Sequence, residues 1–234
     1  MLKRNLKNPA MYFIIAFAAY LGVGYLFHAV IFPEQKPDIS TYFRAGDVFY
    51  SKTEKIKQTV VKQEHGVVYC ASSIEPFAPG PPAHVHTDFD EVFEIANGEL
   101  SVWVAGEIKK IRPGQKLHIR KGTPHKPFNT TADTIYTKNL VAFPEKFAFH
   151  LVHVYGLMDN ENFGKSAGTL FQMSLMNHAG FDSYIAGPPI FVQKTLSFIL
   201  APATRLFGYK SFYPAYDIRK NKKELTSLAN SPKN

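Results

Sequence analysis

The chain has 234 residues, a formal net charge of +8 at pH 7, 20 phenylalanines, 12 tyrosines and a single cysteine. That length allows one domain with attachments or two small domains, and an apolar fraction of 45% suffices for a packed core. Cys70 alone excludes an intrachain disulfide, and no basic surface interleaved with aromatics marks a nucleic-acid module. The positive charge gathers at the ends, with Lys3, Arg4 and Lys7 in front and Arg219, Lys220, Lys222 and Lys223 behind, which suits anionic lipid headgroups.

Met11–Phe32 is a run of about 22 residues without a charged side chain, long enough to cross a hydrocarbon core of ~30 Å. Tyr12, Tyr20 and Tyr25 add interfacial aromatics, and His28 lies near its end. The basic residues before it outweigh Lys36 and Arg44 after it, so a single-pass anchor is expected over residues 1–32, with the bulk of the chain extracytoplasmic. A cleaved signal peptide is the alternative, poorly served by the spacing of Gly22-Val23-Gly24. Pro33 to Tyr42, with Pro33 and Pro37, reads as a stiff linker.

From Asp47 the pattern changes to period two. Val48–Tyr50, Ile56–Val61 and Val67–Ala71 read as strands, the last placing Cys70 as a small buried hydrophobe. Pro76 and Pro79–Pro82 form a rigid loop leading into His84-Val85-His86. Residues two apart on a strand share a face, so both imidazoles project the same way. Glu91 opens the next apolar run, Glu99–Ala105 alternates cleanly, Ala105–Glu107 makes a hairpin turn into Ile108–Ile111, and Lys116–Arg120 and Thr134–Phe143 complete eight or nine strands. His125 arrives from a further segment. Three imidazoles and one carboxylate are a donor set for Fe, Mn, Ni or Zn.

The spacing Gly80-x3-His84-x-His86-x4-Glu91-x6-Gly98, followed by Gly114-x7-Gly122-x2-His125-x3-Asn129, resembles the two motifs of the cupin superfamily over Phe43–Phe143. The resemblance implies a mainly β chain built on an antiparallel β-barrel of jelly-roll type over residues 43–145. It also implies that His84, His86, Glu91 and His125 hold one divalent transition metal ion. Two positions depart from the motifs: Gly80 lies three residues before the His pair where five is commoner, and Arg120 stands where motif two carries Pro. Phe93, Trp103, Arg120, Phe128 and Asn129 are the expected lining of a substrate pocket.

After Pro144 the period becomes helical. A helical extension is expected over 146–217, with an amphipathic helix near 190–207 that Pro202 would kink or restart, and a flexible basic tail over 218–234. Charges at Lys194 and Arg205 argue against a second span, leaving this helix against the barrel or in the membrane interface. His150 and His153 read as packed side chains rather than ligands.

No side chain presents itself as a catalytic base. Asp88 and Asp90 read as loop carboxylates, and Glu94 has the opposite parity to Glu91. Metal and substrate would then carry most of the chemistry, which favours a dioxygenase-like oxidoreductase acting on a small organic molecule. A non-enzymatic ligand-binding or sensor protein and a metal-dependent isomerase are the alternatives, with the membrane as partner and a homodimer allowed.

Overall fold

The computed structural model describes residues 9–160, 163–164 and 167–219. Residues 1–8 and 220–234, which carry most of the terminal basic residues, lie outside the described residues.

Helix α1 spans Pro9–Val30, and among the described residues it is the one helix long and apolar enough to cross a membrane. Eleven strands follow: β1 (Val48–Ser51), β2 (Ile56–Glu64), β3 (Val67–Ile74), β4 (His84–Val85), β5 (Glu91–Glu94), β6 (Leu100–Val104), β7 (Glu107–Ile111), β8 (Lys116–Ile119), β9 (His125–Phe128), β10 (Ile135–Tyr136) and β11 (Val141–Pro144). Then come α2 (Glu145–Met158), α3 (Ala167–Ala179), β12 (Tyr184–Ile185) and α4 (Ile190–Leu206).

The described strands pair antiparallel in three sheets rather than in one closed ring. The first is β1-β2-β3-β10, with β11 also on β3; the second is β12-β4-β9-β6-β7; the third is β5-β8. The stretch expected as one strand over Thr134–Phe143 is divided, because Thr137 leaves the ladder to bridge Ile95 and to exchange hydrogen bonds with Ser72. Where β2 meets β3 the register shifts between Val60 and Lys62, so Val61 faces solvent while Val60 stays in the core.

Two apolar clusters hold these layers together. One gathers Tyr42, Phe43, Phe49, Phe143, Phe147, Phe149 and Phe181 between the first sheet and α2. The other packs Ile56, Phe93, Ile95, Leu100, Val102, Ile119 and Ile135 among the sheets. Each such side chain contributes roughly 1.5–3 kcal/mol on burial. Helix α2 is buried continuously from Phe147 to Tyr155, since it has β-structure on one side and the C-terminal segment on the other.

Pro202 does not break α4. A proline removes one backbone donor, which here leaves the Phe198 carbonyl without its helical partner. Tyr25 of α1 donates to that carbonyl at 2.6 Å. One residue on, the Tyr20 hydroxyl donates to the Ile199 carbonyl at 2.8 Å and accepts from the Ala203 N–H at 3.2 Å. His28 donates to the Pro202 carbonyl at 3.1 Å. Helix α1 thus supplies the partners that let α4 continue, and Gly24 lets the two approach: a Cβ there would lie 2.6 Å from the Pro202 ring.

The ends of the extension are also tied. The Glu34 carboxylate accepts from the N–H groups of Ser211 and Phe212. Tyr42, expected as the end of the linker, is fully buried and donates to Asp217. Ile218 and Arg219, expected as tail, are docked: Arg219 pairs with Asp217 at 3.2 Å and lies over the Tyr42 ring.

Candidate metal centre

Strand β4 begins at His84 and directs it across to His125 of β9, its register partner. Val85 turns the other way into the interior, which returns His86 to the face of His84. Gly80, at φ +65°, lets the preceding loop press against β9: a Cβ there would meet the Pro127 carbonyl oxygen at 1.8 Å. Glu91 enters from β5, held in register by β8. One donor atom each from His84, His86, Glu91 and His125 falls within 4.8 Å of all the others.

The hydrogen bonds at the back of the rings set their tautomers. Nδ1 of His84 donates to the Pro82 carbonyl at 2.8 Å, that of His86 to Asp182 at 2.5 Å, and that of His125 to Thr123 at 3.0 Å. Because a carbonyl only accepts, each Nδ1 carries the proton and each Nε2 of a neutral ring turns its lone pair inward. The inward Nε2 atoms of His84 and His86 then face each other at 3.2 Å with no proton between them. Glu91 adds an anionic oxygen 2.8 Å from Nε2 of His125 and 3.8 Å from that of His86. The facing Nε2 lone pairs of His84 and His86, with an anionic carboxylate beside them, are the arrangement that a cation satisfies, and backbone carbonyls behind the rings are the usual support of metal-ligating histidines.

The electrostatics agree. Burial, helped by the neighbouring His86 and His125, pushes the His84 imidazole down to about 3. Burial likewise lowers His86. Burial would raise Glu91, but the His125 hydrogen bond and the adjoining imidazoles hold the carboxyl below its ordinary value. Burial opposes charge on His125, yet its bond to Glu91 lifts it. The pair His84 and His86 is therefore neutral and ligand-ready at neutral pH.

A cavity of about 370 Å³ adjoins His84, His86 and Glu91. Its wall is mostly apolar, from Phe143, Phe147, Leu151, Val154, Met158, Met173, Phe181 and Ile185. The residues expected to line a pocket lie elsewhere. Phe93 faces inward, 6.3 Å from the His125 ring, but packs in the second core cluster. Trp103 alternates with the buried Leu100 and Val102 and is half-exposed on the opposite face. Arg120 is exposed. Phe128 has the parity opposite to His125 and Pro127, and of these Pro127 is the one on the cavity wall. Asn129 is buried and fixes a loop, donating to the carbonyls of Glu75 and Asp133 and accepting from Thr131.

Three features escape a sequence reading. Asp182, from the segment before β12, accepts through its carboxylate from the N–H groups of Thr87 and Asp88 and from the Thr87 hydroxyl, while its carbonyl orients His86. Glu54, from the turn between β1 and β2, is a titratable side chain on the cavity wall at only 5% exposure. Tyr155 of α2 shares that wall. Among the acidic residues near the centre, Asp90 is taken up by His118 and the Lys121 N–H, and Glu94 by Lys138 and Asn139. His150 and His153 bind the carbonyls of Ala179 and Phe149, outside the cluster.

Residues 72–137 match the family described as Cupin domain, a span that contains all four clustered donors. The chain therefore carries a cupin domain with antiparallel sheets. No curated protein matches the chain. Among solved structures it is similar to the polyketide cyclase RemF from Streptomyces resistomycificus, at 18% identity over 47% of this chain and 80% of that one, with TM-score 0.36. A cupin-2 domain containing protein from Shewanella frigidimarina shares 23% identity over 37% of this chain and 78% of its own, with TM-score 0.31. A sugar phosphate isomerase of the cupin superfamily from Silicibacter pomeroyi shares 18% over 46% and 74%, with TM-score 0.35. The fold assignment rests on the family match and on the strand pairing above.

Proposed function

We propose that the chain is a membrane-anchored, metal-dependent cupin in which His84, His86, Glu91 and His125 hold one divalent transition metal ion, and that it acts as an oxidoreductase of dioxygenase type on a small apolar molecule. One observation carries the metal assignment: the carbonyls behind His84 and His86 engage their ring protons at Nδ1, so both Nε2 lone pairs turn inward at 3.2 Å from each other, beside the Glu91 carboxylate and His125. An ion held there supplies Lewis acidity and, if redox-active, a route for oxygen. The apolar cavity beside it supports an apolar substrate.

The anchor reading is supported by α1 itself. Its outward face exposes Phe13, Ile14, Val23 and Leu26, while Tyr20, Tyr25 and His28 are committed to α4. These hydrogen bonds to α4 support the reading of a retained segment over a cleaved one. Helix α4 turns Phe191, Phe198, Leu206 and Phe207 outward beside it, in keeping with a place in the membrane interface.

A second reading, a metal-dependent isomerase, is favoured by Glu54, because proton movement needs a titratable group in the cavity. Oxygen consumption by the metal-loaded full chain, followed across a panel of apolar hydroxylated compounds, tests the proposal. Uptake that His84→Ala abolishes supports the oxidoreductase. Product formed without oxygen favours the isomerase, and a loaded chain that transforms nothing contradicts both.

A further inference from the structure

Glu54 has a setting that structure alone does not explain. Its carboxyl is almost fully buried, and no ion pair among the described residues includes it. The charge that acts on it is a second carboxylate, Asp159, which is held in place by the N–H groups of Lys52 and Thr53. A buried acid beside another acid is costly, and a glutamine of the same shape would fill the site without that cost. Two other polar side chains share the Glu54 part of the cavity wall: Tyr155, and Gln58, which accepts from Ser72. The same cavity is bounded by His84, His86 and Glu91.

Resting on the metal-centre reading, we propose that Glu54 is the proton acceptor of the site, serving a phenol- or enol-class substrate whose hydroxyl oxygen is turned toward the His84–His86–Glu91 wall. In this step the substrate O–H bond breaks, a new O–H bond forms on a Glu54 carboxylate oxygen, and the electron pair remains on the substrate oxygen. Tyr155, on the same wall, is a positioning residue whose hydroxyl favours the ionised Glu54 carboxyl. Burial and Asp159 together push Glu54 up to about 8, so its ionised fraction grows across the neutral range, where a base is most effective.

The test uses the zinc-loaded full chain in detergent with catechol, which keeps its hydroxyl protons in solution at pH 8 and whose ultraviolet absorbance reports the loss of one. Wild-type affinity is expected to tighten through an inflection near pH 8. Glu54→Gln is expected to retain zinc, lose that inflection and bind about tenfold more weakly at pH 8. Tyr155→Phe keeps the inflection but moves it upward. A zinc-replete Glu54→Gln protein with wild-type affinity and pH profile overturns the assignment while leaving the metal centre intact. A wild-type chain that takes up none of Zn, Fe, Mn and Ni sinks both readings. Should Glu54→Gln misfold, an unshifted inflection in Tyr155→Phe overturns the role of Glu54.

Discussion

Nδ1 of His86 donates to the backbone carbonyl of Asp182 at 2.5 Å, across 96 positions of sequence. The same aspartate takes the Thr87 and Asp88 N–H groups on its carboxylate, so one residue of the C-terminal extension fixes both a cluster imidazole and the loop that follows it. Asp182→Ala removes the carboxylate but not the carbonyl. The loop should loosen and the ring be held less firmly, while the remaining carbonyl keeps its tautomer. Supports of this kind are worth ~10-fold or more in metal affinity. Competitive chelator titration should show that loss for Asp182→Ala, with Asp182→Asn intermediate; equal affinities would separate the extension from the site.

Glu54 also gives stability a pH slope. The folded chain holds the proton up to about 8, while the ordinary carboxyl releases it near 4.5. Between these values the folded state binds the extra proton, so stability falls as pH rises through that window and levels off above it. The full effect is on the order of 5 kcal/mol. Denaturant unfolding at pH 5 and pH 9 should show the decline in the wild type and a much flatter response in Glu54→Gln.

Helices α1 and α4 meet where Gly24 faces Pro202. Gly24→Leu places atoms inside the proline ring and should separate the pair at a cost of about 1–3 kcal/mol. The melting temperature in detergent should drop and limited proteolysis should cut near α4, while metal content stays unchanged. Wild-type melting would show that the helices do not pack this way.

Cys70 is fully buried on β3, and burial pushes its thiol up to about 12. The thiolate is the reactive form, so a maleimide should leave the native chain unlabelled and react after denaturation. Rapid native labelling would contradict the core packing around β3.

Much of this architecture was legible in the sequence where one local rule governs it. The period-two pattern gives the strands from Val48 to Ile119, and parity alone puts His84 and His86 on one face. Parity also argues against Trp103 as lining, since Leu100 and Val102 claim the inward face. The convergence of Glu91 and His125 on the pair came from motif resemblance, because strand pairing across the chain has no local signature. The same reason hides Asp182 and β12, whose two residues pair with β4 without any hydrophobic period. Glu54 looks like an ordinary turn carboxylate until α2 covers it. Pro202 looked like a break because the sequence of α4 does not show that Tyr20 and Tyr25 would complete its hydrogen bonds.

Metal content of the purified full chain, measured by mass spectrometry beside His84→Ala and His125→Ala, tests the central claim most directly. The account predicts close to one equivalent of a divalent transition ion in the wild type and its loss from both variants, each still folded by circular dichroism. A folded wild-type chain that stays empty after loading with Fe, Mn, Ni and Zn in turn, or variants that keep the ion, would contradict it.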